Sequence, residues 1–547
     1  GNILLNGEDV ADVEEVTNRG NVYLPDHLLK TQVLEILQPR TVDDLCEIEE
    51  SDLERCLMDL VIDSALVVKN KPEERQIYDS QNYYTELRIA RMLQDLNLKG
   101  QVSENGIESR IAEVEARSDL TLDEMQRKAL HRAASSGVLI ITGGPGTGKT
   151  TTINSIIRYF DSEGRKILLA APTGRAAKRM TEAAGQEART IHRMLELGTE
   201  LGDSSAGARF NRNEENPLDA DVVIVDEVSM VDIFLMSALL RAIRKGTRLI
   251  LVGDVDQLPS VGPGNLLRDL IESGRFPTVK LVKIFRQAQE SEIVVNAHKI
   301  NKGETISLRT DSRDFIFLKR ETPQAVANAV LTLLKDKLPS YVQAEIRDIQ
   351  VLSPMKKGPL GVIQINSFLQ RCLNPADHGK KELPLRDMVL REGDKVMHIR
   401  NNYDLKWELK TASGITYEEG TGIFNGDIGM IHRINEYNQM MEVLFDDGKH
   451  VIYEGDQIEE LTLAYATTIH KSQGSEYPAV ILPLLSGPNV LMNRNILYTA
   501  VTRAKKCVVI VGTQEAVNKM ISNTRELERY SGLQDRIAEV SLSALQP

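Results

Sequence analysis

The chain has 547 residues, and its acidic side chains outnumber the basic ones 79 to 66 for a formal net charge of −13, so no global positive field advertises a nucleic-acid partner and any such binding must come from a local groove. At about 150 residues per domain the length divides into three or four domains; no stretch approaches the roughly 18 unbroken apolar residues of a membrane span, and no signal peptide opens the chain. The four cysteines, Cys46, Cys56, Cys372 and Cys507, show no C-x-x-C spacing, which points to neither a zinc site nor a disulfide scaffold and makes a reducing cytoplasm the simplest home.

Up to about residue 105 the apolar spacing predicts short helices. A helix is expected around Asp43 to Ile48, and Ser51-Asp52-Leu53-Glu54 reads as a capping box opening another, with Leu53, Leu57, Leu60 and Val61 at helical spacing. Leu66 to Val68 and Gln76 to Tyr78 then flank a polar turn, which completes a winged-helix order. Glu49, Glu50, Asp52, Glu54 and Asp59 on or beside the second helix would repel phosphates, so a structural or docking role is favoured over duplex binding.

Thr121 and Glu124 read as a second capping box. Gln126 close behind can offer a donor and an acceptor to an adenine edge. Val138 to Ile141 predicts a buried parallel strand running into Gly143-Gly144-Pro145-Gly146-Thr147-Gly148-Lys149-Thr150, and the helix from Thr151 to Phe160 follows. Strand, glycine-rich loop and helix together make a phosphate-binding loop: the backbone from Gly144 to Thr151 cradles a polyphosphate, Lys149 reaches the β- and γ-phosphates, and Thr150 can ligate Mg²⁺.

Lys166 to Ala170 predicts a second strand, ending in a turn, Pro172-Thr173-Gly174-Arg175, that presents backbone N–H groups and a small hydroxyl at a sheet edge. Val222 to Val225 is a third strand, ending in Asp226 and Glu227; Asp226 suits the Mg²⁺ shell and Glu227 suits activation of an attacking water. Leu249 to Val252 leads to Gln257 at the same edge, where an amide can sense a γ-phosphate or hold that water.

These segments resemble motifs I, Ia, II and III of superfamily 1 helicases. Lys283 to Gln287 resembles motif IV, Val351 to Gly358 the segment that follows it in RecD-like enzymes, Tyr465 to Glu476 motif V and Tyr498 to Ala504 motif VI. The likeness runs from about residue 20 to about residue 510 and is strongest to the stand-alone RecD-like DNA helicases of bacteria. It implies an α/β fold: two RecA-like lobes with parallel sheets, at 106–290 and at 291–390 with 461–547, after an N-terminal helical or winged-helix-like domain at 1–105. It also implies an SH3-like β-barrel inserted at 391–460, where strands such as Lys395 to Ile399, Met441 to Phe445 and His450 to Tyr453 alternate with turn residues. Tyr403 to Thr421 is read as a mobile loop interrupting the barrel. Leu197 to Asn213, rich in Gly, Ser and Asn, is read either as the β-hairpin pin of the first lobe or as a surface loop.

By the same resemblance ATP and Mg²⁺ bind between the lobes, and Arg286 and Arg503 face the γ-phosphate. Glu476 lies at the nucleotide, and Pro172, Thr173, Gly174, Arg175, Thr467, Thr468 and His470 contact single-stranded DNA. His470 reads equally well as a core histidine. The activity implied is an ATP-dependent helicase moving 5′ to 3′ on single-stranded DNA and opening duplexes at single/double-strand junctions in repair or recombination. The enzyme would be a monomer with protein partners, if any, at the N-terminal domain or the barrel. A nucleotide-switched binding module without unwinding and an RNA helicase of the same superfamily are the alternatives. The start at Gly1 rather than Met leads us to expect further sequence upstream.

Overall fold

The computed structural model describes residues 20–37, 50–98, 100, 103–118, 121–196, 210–385, 388–524 and 529–543. The helix expected around Asp43 to Ile48 and most of the pin segment, 197–209, lie outside the described residues.

Two parallel sheets carry the molecule. The first has six strands in the order Ala188–Thr190, Ile167–Ala171, Val222–Val225, Arg248–Gly253, Val138–Gly143, Thr278–Leu281. Its central strands are apolar throughout because both faces are covered. Val138, Ile140, Val223, Val225, Leu249 and Leu251 enter one core with the helices Ser80–Leu96 and Ile233–Arg241. Leu139, Ile141, Val222, Ile224, Ile250 and Val252, one residue out of phase, enter another with Glu104–Ser118, Glu124–Ser135 and Lys149–Ser162. The second sheet has five strands in the order Phe315–Lys319, Ala504–Gly512, Tyr477–Leu484, Gln350–Ser353, Ala466–Thr468.

An antiparallel sheet of seven strands spans Lys395 to Leu463. Its inner residues Trp407, Ile423, Val443 and Tyr453 join Val351, Ile481 and Val509 of the second parallel sheet in one continuous core, so this insertion is packed onto the second lobe. The stretch Tyr403 to Thr421 is not a loop: Asn402–Lys410 and Thr416–Ile423 pair antiparallel, with Trp407 opposite Gly420. A Cβ on Gly420 would stand 2.4 Å from the Trp407 ring; glycine is what lets the indole lie across the partner strand and hold a hairpin whose tip is polar.

At the N-terminal end Tyr23–Pro25, Arg75–Asp79 and Leu66–Asn70 form a three-stranded antiparallel sheet. Neither helix starts at the residue expected of its capping box. The second helix runs Glu50–Ile62, with Ser51 inside it, and its acidic first turn faces Lys30, which pairs with Glu50 and Glu54 at 3.2 Å each. The box before the phosphate loop joins Asp123 and Gln126, whose side chains can each reach the other's backbone N–H, rather than Thr121 and Glu124. The last described helix, Leu533–Ser543, which the sequence division assigns to the second lobe, packs on Ser80–Leu96 and Leu266–Glu272.

Candidate nucleotide cleft and nucleic-acid edge

Between the two parallel sheets lies a cavity of about 600 Å³ whose walls include the phosphate loop, Asp226, Glu227, Gln257 and Arg503. The loop is shaped by Gly146 (φ 71°) and Gly148 (φ 81°), left-handed conformations that glycine adopts without strain. A Cβ at Gly148 would meet Gln126 and Phe285, each at 2.7 Å. Gly148 caps the helix Lys149–Ser162 without a side-chain bond, so the helix's first N–H groups and its dipole remain directed at the cavity, a ready anion site. Lys149 Nζ donates to the carbonyls of Gly143 (2.6 Å) and Gly144 (3.0 Å), which holds the ammonium at the loop's centre. Thr150 and Thr151 line the same cavity, and Gln126 is buried with its amide 3.4 Å from the Gly148 carbonyl.

Asp226 follows the strand Val222–Val225 directly. Burial and the neighbouring Glu227 raise its carboxyl above the ordinary range, against the pull of Arg179 and Lys149. Glu227 behaves oppositely: burial pushes it up, but Arg179, Arg503 and Lys149 outweigh that and hold it below the ordinary carboxylate range. Mg²⁺ takes few protein ligands and completes its octahedron with phosphates and water. Thr150 and Asp226, a hydroxyl and one carboxylate on the same cavity, are a donor set that fits it.

From the second lobe Arg503, only 2% exposed, is held by the carbonyls of Thr499 (3.3 Å) and Ser475 (3.2 Å), and it donates across the cleft to Gln257 Oε1 at 2.9 Å. Gln257 donates in turn to Asp254 at 3.3 Å, and Tyr498 donates to that same Asp254 oxygen at 2.6 Å. Arg286 begins the short helix Arg286–Gln289; its side chain lies outside the described ones. Glu476 lines the cavity and pairs with Arg179 at 2.5 Å and Lys505 at 3.5 Å.

The residues expected at nucleic acid are divided. Pro172 and Thr173 sit at the first sheet's edge, where Thr173 Oγ1 caps the helix Gly174–Ala184 by accepting from Ala176 N–H at 3.2 Å. Across from it a Cβ on Gly474 would stand 2.8 Å from that hydroxyl, so the two lobes' edges adjoin there. Gly174 is exposed, but Arg175 is engaged: its guanidinium lies over the Tyr477 ring at 5.6 Å and pairs with Asp446 of the antiparallel sheet. Thr468 and His470 are partly exposed, whereas Thr467 is 1% exposed with its hydroxyl in the interior. Burial and Arg529 both lower the His470 pKa, favouring a neutral ring.

Three cleft residues carry no role in the sequence reading. His298 donates from Nε2 to the Pro145 carbonyl at 2.9 Å, Phe285 packs against Gly148, and Arg179 bridges Glu227 and Glu476. For Arg179 a signal was present, since it follows Arg175 by four residues and so shares its helix face.

Family models match three segments: an AAA domain at 126–263, the SH3 domain of ATP-dependent RecD-like DNA helicases at 365–445, and the UvrD-like helicase C-terminal domain at 463–511. The chain is 34% identical to the ATP-dependent RecD2 DNA helicase of Deinococcus radiodurans over 76% of its own length, and spans 52% of that protein. It is 32% identical to the RecBCD enzyme subunit RecD of Mycolicibacterium smegmatis, covering 76% of this chain and 75% of the relative. Among solved structures, a Bacteroides Pif1 helicase with ADP-AlF3 and single-stranded DNA is similar at 22% identity and a TM-score of 0.41, over 78% of this chain and 99% of the other.

Proposed function

The chain belongs to the RecD-like helicase family, and we propose that it is an ATP-driven motor that moves 5′ to 3′ along single-stranded DNA and opens duplex at single/double-strand junctions. One observation carries the reading. The phosphate loop, the Asp226–Glu227 pair and Arg503 share one cavity, and the Arg503–Gln257 hydrogen bond at 2.9 Å spans the two lobes beside it. A triphosphate in the cradle meets Lys149 and the helix N-terminus on the first lobe and Arg503 on the second, so charge developing on the γ-phosphate favours the closed cleft. Glu227, ionised and on the same wall, orients the attacking water, and Gln257 sits where it registers the phosphate. Thr150 and Asp226 would hold Mg²⁺, which would supply charge neutralisation at the triphosphate. Closing and reopening of the cleft moves the Thr173 edge against the Gly474 edge, which turns hydrolysis into travel along a strand.

The test is ATP hydrolysis by the purified chain with and without a DNA single strand. Stimulation by the strand is expected, together with loss of turnover in Lys149→Ala. Normal turnover in Lys149→Ala would remove the site assignment.

A further inference from the structure

Beyond its pull on the Glu227 carboxylate Arg179 has been given no role, yet it touches the cleft from both sides. It rises from the helix Gly174–Ala184, and its guanidinium donates through Nη2 to Glu227 Oε1 and through Nη1 to Glu476 Oε1, each at 2.5 Å. Glu227 belongs to the first lobe and Glu476 to the second. We propose that Arg179 is a positioning residue that restrains Glu227 and releases it when DNA phosphates engage the start of its helix, so coupling DNA occupancy to ATP hydrolysis. The inference rests on the reading of the cleft as a DNA-stimulated ATPase.

Two features make the restraint effective. A carboxylate oxygen that accepts a charge-assisted bond from a guanidinium has one lone pair engaged and is a weaker base toward water. Glu227 also has little freedom to turn away, because its backbone is left-handed at φ 56° and its N–H donates to Asp226 Oδ1 at 2.8 Å. The route for release runs along the helix. Arg175 lies one turn before Arg179 on the same face, and the two grip successive residues of the second lobe: Arg175 lies over Tyr477, and Arg179 bonds Glu476. Arg175 is also paired with Asp446, an exposed carboxylate at the margin of a cavity of about 270 Å³ that Lys178, Arg179 and Lys505 help to line. A phosphodiester strand at this edge competes with Asp446 for Arg175, and a helix of only three turns transmits the displacement to Arg179 without absorbing it.

Wild-type chain, Arg179→Gln and Arg179→Lys are compared in steady-state ATP hydrolysis with and without a single-stranded oligothymidylate. Arg179→Gln is expected to raise the DNA-independent rate by about tenfold, the size of one lost charge-assisted hydrogen bond, and to collapse the stimulation ratio. Arg179→Lys keeps the charge but pairs with one carboxylate at a time, and should restore part of the ratio. An Arg179→Gln enzyme with the wild-type basal rate and ratio would overturn the proposal. So would a fall by one common factor with and without DNA, because that pattern marks a residue needed for folding or for chemistry itself. A wild-type chain that hydrolyses ATP but ignores the oligonucleotide would instead defeat the functional reading, and the wild-type arm reports this separately.

Discussion

Glu227 combines two properties that pull against each other: it is buried beside a second carboxylate, yet three cations keep it ionised. That balance suits a group that must hold a water against a phosphate without taking up a proton at rest. Glu227→Gln keeps the shape and one bond to Arg179 but loses the charge. It should therefore bind ATP about as the wild type does while hydrolysing it roughly 10²- to 10⁴-fold more slowly; nucleotide binding and single-turnover hydrolysis measured side by side check this, and near-normal hydrolysis would transfer the role elsewhere. That Lys149, Thr150, Asp226 and Glu227 line one cavity could be expected from the sequence, because each lies in a contiguous strand-and-loop segment. The place of His298 could not, because its partner Pro145 is far off in sequence and nothing local distinguishes it from any helical histidine. Thr467 and Arg175 show the complementary limit: residue type allowed a nucleic-acid contact, but only packing shows one hydroxyl buried and one guanidinium already paired.

The segment around Tyr530 and the helix Leu533–Ser543 pack against the N-terminal sheet and the helix Ser80–Leu96. Val22 N–H donates to the Tyr530 carbonyl at 2.7 Å, and Lys71 pairs with Asp535 at 2.5 Å. Deeper in this junction Ser531 Oγ lies between two carboxyls, Glu86 Oε1 at 3.1 Å and Asp269, while Gly532 N–H also donates to Glu86. One hydroxyl proton cannot serve two acceptors, so one carboxyl has to carry its own proton. Burial and Asp269 accordingly lift Glu86 from 4.5 to about 8, and burial lifts Asp269 to about 7 despite the Ser531 bond; Arg536 opposes the shift at Glu86 and Arg268 that at Asp269. A carboxyl whose pKa is higher in the folded chain stabilises it fully below the unfolded value, and that stability is lost as pH rises through the folded one. The melting temperature should therefore fall as pH climbs from about 4.5 to about 8, and Glu86→Gln should flatten the slope, Asp269 sustaining the remainder. Thermal unfolding over a pH series decides it; an unchanged slope would mean that Glu86 does not titrate in that window. No sequence pattern announced this junction, since its partners are separated by most of the chain. The hairpin from Asn402 to Ile423 was misread for a related reason: its polar tip resembles a loop, and only the cross-strand seat of Trp407 on Gly420 shows what holds it.

At the scale of the whole molecule these junctions sort the chain into two bodies. The N-terminal sheet, the first parallel sheet and the helix Leu533–Ser543 are packed together, and the second parallel sheet shares its core with the antiparallel insertion. On the proposed mechanism, ATP-driven closure would move the insertion with the second lobe and the N-terminal module with the first. The cleft chemistry is indifferent to strand polarity; direction depends on which body grips while the other slides. Across motifs I to VI this chain resembles the RecD-like branch of superfamily 1, whose likeness implies travel 5′ to 3′, so that the duplex would be met from its 5′-tailed side. A duplex with a 5′ single-stranded tail should accordingly be unwound, and one with a 3′ tail of the same length and sequence should not. The grip must rest on local contacts, because the chain carries a net charge of −13. Each phosphate neutralised releases counterions, so unwinding should weaken steadily as salt rises while nucleotide binding in the enclosed cleft changes less. Preferential unwinding of the 3′-tailed substrate would show that the opposite body holds the strand during closure.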